Sequence, residues 1–122
     1  MKDKFFDAAK AAALASEGVG KRKNFKHGAV LVHKNTVIAS GFNSYKTHPI
    51  MAKYTDFPHL HAEQKAIIRA GLDNCEGLDL YVVRVDRSKR FAMSKPCRVC
   101  KKLIDEVGIR NVYYTNESGN FV

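Results

Sequence analysis

Four residues in two short stretches have the types and spacing for metal chemistry. His61 stands two positions before Glu63 in HLHAEQKAII, and Pro96, Cys97 and Cys100 follow well downstream in SKPCRVCKKLI. An imidazole and two thiolates suit Zn2+, and three protein ligands leave a coordination position open, which is how a catalytic zinc differs from a closed structural one. Cys97 and Cys100 are three apart, so on a helix they share a face and reach one ion, and a helix N-terminus favours their thiolate form. Glu63, two beyond His61, points differently and is free to act as a base beside an ion that lowers the pKa of its bound water to about 7. The competing reading is a zinc kept for structure alone.

For these groups to meet, two helices must begin at one place. Residues 2–16 carry Phe5, Phe6, Ala9, Ala12, Ala13 and Leu14 at helical spacing and end at Gly18 and Gly20, which predicts a first helix. Two β-rich runs, 29–32 and 36–40, flank a polar turn at Lys34-Asn35 and predict a hairpin. Residues 43–59, with Pro49 and Pro58, read as a long loop. A helical pattern then runs from Leu60 to a stop at Gly71, with His61 in its first turn. LDLYVVRV is a continuous apolar strand pattern, DRSKRFAMSK a basic loop, and Pro96 fits the first turn of a third helix that ends at Gly108. RNVYYT is a further strand, followed by a tight turn and Phe121-Val122.

This order, α-β-β-α-β-α-β with a possible fifth strand, predicts an α/β fold of three layers. A mixed central sheet of four to five strands, a hairpin followed by a β-α-β unit, is flanked by helices. The turn before Phe121 is too short for a crossover, so the last strand is expected to be antiparallel.

A chain of 122 residues with 45% hydrophobic residues reads as a single globular domain spanning 1–122. No stretch approaches the roughly twenty apolar residues of a membrane span, and the helical, acid-containing start argues against a secretory signal, so the expected setting is cytoplasmic, with no membrane partner. Three cysteines, an odd number, argue against a disulfide framework and leave Cys75 as the bystander. His27, His33, His48 and His59 read as surface or loop histidines rather than ligands. The net charge of +9 favours anionic partners, nucleic acid among them, with solubility alone as the plain alternative.

His-x-Glu followed by Pro-Cys-x-x-Cys is the signature of zinc-dependent nucleobase deaminases. The chain resembles the cytidine deaminase superfamily from NFKHGAVLV through SGFN, HAEQKAI and KPCRVC to GIRNVYY. The resemblance implies one zinc with a bound water or hydroxide, held by His61, Cys97 and Cys100, with Glu63 as proton shuttle in converting cytosine to uracil. It further implies Asn43 at the sugar, the backbone of Ala62 and the Ser94-Lys95 segment at the base edge, and Phe25 flanking the base.

Two departures bear on the substrate. Tyr45 stands where free-cytidine deaminases carry a ribose-clamping glutamate, and Leu60 where deoxycytidylate deaminases typically have a cysteine. The antiparallel last strand argues against the branches that act on tRNA adenosine. Lys21, Arg22, Lys23 and Lys26 in one loop, with Arg87, Lys89, Arg90 and Lys95 in another, would line the mouth as a path for a strand. The favoured expectation is therefore deamination of cytosine in a polynucleotide, preferably single-stranded DNA. The alternative is a free deoxycytidine, cytidine or deoxycytidylate deaminase, and a third reading is a non-catalytic zinc-held nucleic-acid-binding module. Whether the chain acts as a monomer or a homo-oligomer is not legible in the sequence.

Overall fold

A computed structural model describes residues 3–16, 26–44, 61–86, 90–116, 118 and 122. The elements are α1 (Asp3–Leu14), β1 (Lys26–His33), β2 (Thr36–Phe42), α2 (Ala62–Ala70), a 3-10 turn (Leu72–Asn74), β3 (Asp79–Val85), β4 (Phe91–Ala92), α3 (Arg98–Val107) and β5 (Asn111–Tyr114). β1 pairs antiparallel with β2 and with β3, while β5 runs parallel to β3, so the sheet is mixed as expected. The β1–β2 turn places Lys34 and Asn35 at φ 47° and 65°, the left-handed pair that a two-residue hairpin of this twist requires.

Strand alternation divides the interior into two cores. Ala29, Leu31, Leu80 and Val82 face one side, where Ala62, Ala66, Ile67, Leu103 and Ile104 of α2 and α3 cover them. Val30, Val32, Tyr81, Val83 and Val85 face the other, against Phe5, Phe6, Ala9 and Ala13 of α1. The β3 strand is thus buried on both faces, which is why its sequence shows no alternation. Cys75 is fully buried in the α2/α3 core, consistent with its reading as a bystander to the chemistry.

Two close approaches fix the layers. A Cβ at Gly28 would lie 1.9 Å from the Ala9 carbonyl oxygen of α1, and one at Gly41 would lie 2.6 Å from the Ala62 carbonyl oxygen and the Ala66 nitrogen of α2. Gly41 thereby sets where α2 starts. Arg69, further along α2, donates to the Ser40 carbonyl at 3.1 Å. The helix therefore runs back along β2 from its C-terminal end, and His61 lies toward Phe42 and Asn43.

The two-residue β4 falls inside the stretch expected to be a basic loop. It pairs antiparallel with the end of β3 (Arg84 with Ala92, Val85 with Phe91), and Asp86 closes the connection by accepting from the Arg90 N–H at 3.0 Å. Val122 exchanges both backbone hydrogen bonds with Tyr114, at 3.1 and 2.7 Å, the pattern of an antiparallel bridge at the position expected for a last strand. Among the described residues no helix is long and apolar enough to cross a membrane.

Candidate active site

His61 and Cys97 occupy the same structural position on two different helices. Each is an N-cap in extended backbone, His61 at φ −77°, ψ 157° before α2 and Cys97 at φ −71°, ψ 171° before α3. Both had been expected inside the first turn, and Pro96 likewise stands just ahead of its helix rather than within it. Cys100 is the third residue of α3.

The two helix starts bring the side chains together. His61 Nδ1 lies 3.1 Å from Cys100 Sγ and 3.6 Å from Cys97 Sγ. All three donor atoms fall within 4.8 Å of one another. Tetrahedral zinc with ordinary Zn–N and Zn–S bonds separates its ligand atoms by about 3.5–3.8 Å, so one ion fits this set with only small adjustment. One imidazole and two sulfurs are also the donor chemistry zinc prefers, and the three form a potential metal site.

Gln64 holds this arrangement from behind. Its Oε1 accepts the His61 backbone N–H at 2.9 Å, closing the first turn of α2, while its Nε2 donates to Cys100 Sγ at 3.5 Å. The side chain is 1% exposed. Sequence reasoning passed over Gln64, although a glutamine three residues after a helix N-cap is the recognisable half of a capping box.

Glu63 is 3% exposed, and its Oε1 has no hydrogen-bond partner among the described residues. Burial raises its carboxyl above the ordinary range, opposed by its own backbone and by His61. An orphaned carboxylate oxygen in a buried setting is costly for folding, and beside a three-donor cluster it is the group a substrate or an activated water would satisfy.

The two cysteines divide one proton between them. Cys97 is held as a thiolate, its pKa lowered to about 3 by hydrogen bonds from Cys100 and His61. Cys100 is pushed far up by that same hydrogen bond to Cys97 and by burial. His61 is raised, chiefly by its hydrogen bond to Cys97.

The remaining expected residues fall in different places. Asn43 is buried at the end of β2, where its Oδ1 accepts from the His27 N–H at 2.9 Å and the Ser16 hydroxyl at 2.8 Å. Ala62 is fully buried at the start of α2, next to His61. Ser94 is buried in a clamp: its hydroxyl donates to the Val82 carbonyl at 2.8 Å and meets the Thr115 hydroxyl at 2.7 Å, and its N–H donates to the Thr115 carbonyl. Lys95 is exposed one step before Pro96. Lys26 opens β1 and Arg90 is exposed before β4. Phe25, Lys21, Arg22, Lys23, Arg87 and Lys89, together with Tyr45, His48, His59 and Leu60, lie outside the described residues.

One histidine corrects its sequence reading. His27 lies not in a loop but in β1, where it is partly buried, and as expected it stands outside the three-donor cluster; its pKa is lowered to about 4 by burial and by Arg84. Its neighbour Gly28 and the apolar run after it hid the alternation that would have placed it on the α2 face.

Comparison with known proteins agrees with this geometry. The model of the cytidine and deoxycytidylate deaminase zinc-binding region matches residues 1–116. An uncharacterized deaminase from the luxG 3' region of Aliivibrio fischeri is 31% identical over 101 residues, which is 78% of this chain. The match spans 61% of that curated relative's length. The crystal structure of dCMP deaminase from cyanophage S-TIM5 superposes with a TM-score of 0.67 at 26% identity, covering 97% of this chain and 87% of the phage chain. Cytidine deaminase from Burkholderia pseudomallei shares the fold with a TM-score of 0.68 at 22% identity, covering 100% and 90% of the two chains. With a zinc-binding region matched over nearly its whole length and a His-Cys-Cys donor set at the expected positions, the chain belongs to the cytidine and deoxycytidylate deaminase family.

Proposed function

We propose that the chain is a hydrolytic deaminase that converts the cytosine of a free nucleotide to uracil, with His61, Cys97 and Cys100 as zinc ligands and Glu63 as the proton carrier. The observation that carries this reading is the buried Glu63 oxygen beside the three-donor cluster, without a partner among the described residues. The likeness to a dCMP deaminase over most of both chains supports the nucleotide.

Zinc, when bound, supplies a Lewis acid that makes water a nucleophile near neutral pH. The protein's own groups do the rest. Glu63 takes a proton from the attacking water and delivers it to the ring nitrogen next to the amino-bearing carbon. The water oxygen bonds to that carbon, the carbon–nitrogen bond breaks, and a second proton passed through Glu63 leaves with ammonia. A carboxyl raised by burial suits this duty, because it holds and releases protons closer to neutral pH than a solvated one. The Ala62 backbone and the Ser94-Lys95 segment meet the base edge in this reading. The Ser94 hydroxyl and N–H are engaged in the clamp, so the segment acts through its other backbone groups. Asn43 meets the sugar and Phe25 flanks the base.

A second reading keeps cytosine as the target but places it in single-stranded DNA, with the basic loops as the strand path. The observation that favours it is the net charge of +9, to which Arg90, Lys95 and Arg98, exposed in the stretch of chain that leads into α3, contribute. One parallel assay separates the two: zinc-loaded protein with deoxycytidine, deoxycytidylate and a cytosine-containing oligonucleotide, uracil being read by mass spectrometry. Uracil formed in the mononucleotide supports the first reading. Uracil confined to the oligonucleotide overturns it in favour of the second, and binding of DNA with no uracil from any substrate indicates a non-catalytic module.

A further inference from the structure

The sheet ends, on the side of the cluster, in a polar row. His27 of β1 lies across from Arg84 of β3, and the Asn43 N–H and side chain bond the other edge of His27. Strand parity places the His27 and Arg84 side chains with Ala29, Leu31, Leu80 and Val82, the residues facing α2 and α3. They sit two residues beyond the Gly41–Ala29 level that α2 covers with Ala62 and Ala66, which is the end at which His61 stands.

At that end the His27 imidazole is unusual. Its backbone N–H is bonded, whereas its ring is only partly buried and forms no hydrogen bond to another of the described residues. It feels both His61 and Cys97 electrostatically, but it is not a member of the three-donor cluster. Burial and the Arg84 cation keep the ring neutral, so it offers one N–H donor and one acceptor nitrogen. A packing role alone would be filled better by leucine or valine, the types found at the same parity on this face.

We propose that His27 is a substrate-contacting residue that donates a hydrogen bond to an acceptor on the bound heterocycle and so helps decide which ring the site takes. This rests on the reading of the cluster as a nucleobase-deaminating centre. The ring does not ligate the metal and does not carry the transferred proton, a duty that falls to Glu63. Its part is to offer a donor that only a base with an acceptor at the matching position satisfies, which is how a site built to hydrogen-bond its substrate discriminates.

The test uses the full zinc-loaded chain and its His27→Leu and His27→Gln variants. Zinc per chain is read by elemental analysis, Tm by thermal unfolding, and affinity for deoxyuridylate, deoxycytidylate and guanosine monophosphate by titration calorimetry. The deoxyuridylate product gives a binding constant without turnover. His27→Leu is expected to retain zinc and a Tm no lower than wild type while binding deoxyuridylate about ten-fold or more weakly, and His27→Gln, which keeps an N–H donor, to recover much of that loss. Unchanged deoxyuridylate affinity in His27→Leu overturns the proposal, and so does loss of zinc or Tm together with affinity, which would mark a structural role. A wild type that binds only guanosine monophosphate overturns the cytosine reading, and the His27 assignment then stands or falls on whether His27→Leu weakens that ligand. A wild type that binds none of the three overturns both.

Discussion

Cys97 and Cys100 share a side chain and differ in everything that governs its reactivity. Cys97 is exposed and held as a thiolate, while Cys100 is buried, accepts from Gln64 and keeps its proton in the metal-free pair. Alkylation of the metal-stripped protein with iodoacetamide should therefore modify Cys97 first, at a rate nearly independent of pH between about 5 and 8, because a thiolate already formed gains nothing from added base. Cys75, buried and raised by that burial, should react last. Peptide mass spectrometry against time reads the order, and zinc should suppress all labelling at Cys97. Equal labelling of Cys97 and Cys100 would contradict the unequal sharing of the proton. Glu63 gives a second prediction at this scale: Glu63→Gln should bind zinc normally and lose turnover by about 10²–10⁴-fold. Its stability effect has a definite sign. The folded-state pKa of Glu63 is raised, so its contribution is fully present below the unfolded value of 4.5 and is lost as pH rises through the folded value. In metal-free protein Glu63→Gln should thus be at least as stable as wild type at pH 7, and that advantage should shrink toward pH 4. Thermal unfolding at both pH values checks it.

At the scale of elements, the site depends on how closely α2 sits on the sheet. A methyl group at Gly41 would stand 2.6 Å from α2 backbone atoms, and one at Gly28 would stand 1.9 Å from α1. Both substitutions overpack, at a cost of roughly 1–3 kcal/mol or more. Their consequences should differ: Gly41→Ala displaces the helix that carries His61, Glu63 and Gln64, so it should weaken zinc binding as well as stability, while Gly28→Ala strains the opposite layer and should lower Tm with little change in zinc affinity. Chelator competition beside thermal unfolding separates them. The same distinction explains what was legible in the sequence. His61, Glu63, Cys97 and Cys100 lie in short local patterns, and α2 and α3 end at Gly71 and Gly108 with positive φ, so spacing and turn chemistry sufficed. Long-range pairing left no such mark. The β4 strand exists because Phe91 and Ala92 extend the end of β3, and the Ser94 clamp joins residues 21 apart in sequence. Asn43 was legible as a residue of interest, but its tie to Ser16, 27 positions earlier, was not.

The whole molecule sets a polar, metal-capable end of the α2/α3 core against a second core under α1 that carries no comparable donors among the described residues. Long-range charge then distinguishes the two substrate readings. With a net charge of +9, an anionic mononucleotide should be drawn in faster than a neutral nucleoside, and salt should weaken that advantage modestly. A bound strand behaves differently, because every neutralised phosphate releases counterions. With about four phosphates in contact, raising salt from about 50 to 300 mM would lower affinity by roughly 100-fold. For the free-nucleotide reading, kcat/KM on deoxycytidylate should fall only a few-fold over that range and kcat/KM on deoxycytidine should hardly change. Steady-state rates at four or five salt concentrations give the slopes. A steep fall confined to an oligonucleotide, together with faster turnover of that oligonucleotide at low salt, would move the assignment to a strand and make the basic loops its path. A shallow slope on every substrate would instead leave the charge as a solvated surface with no part in recognition.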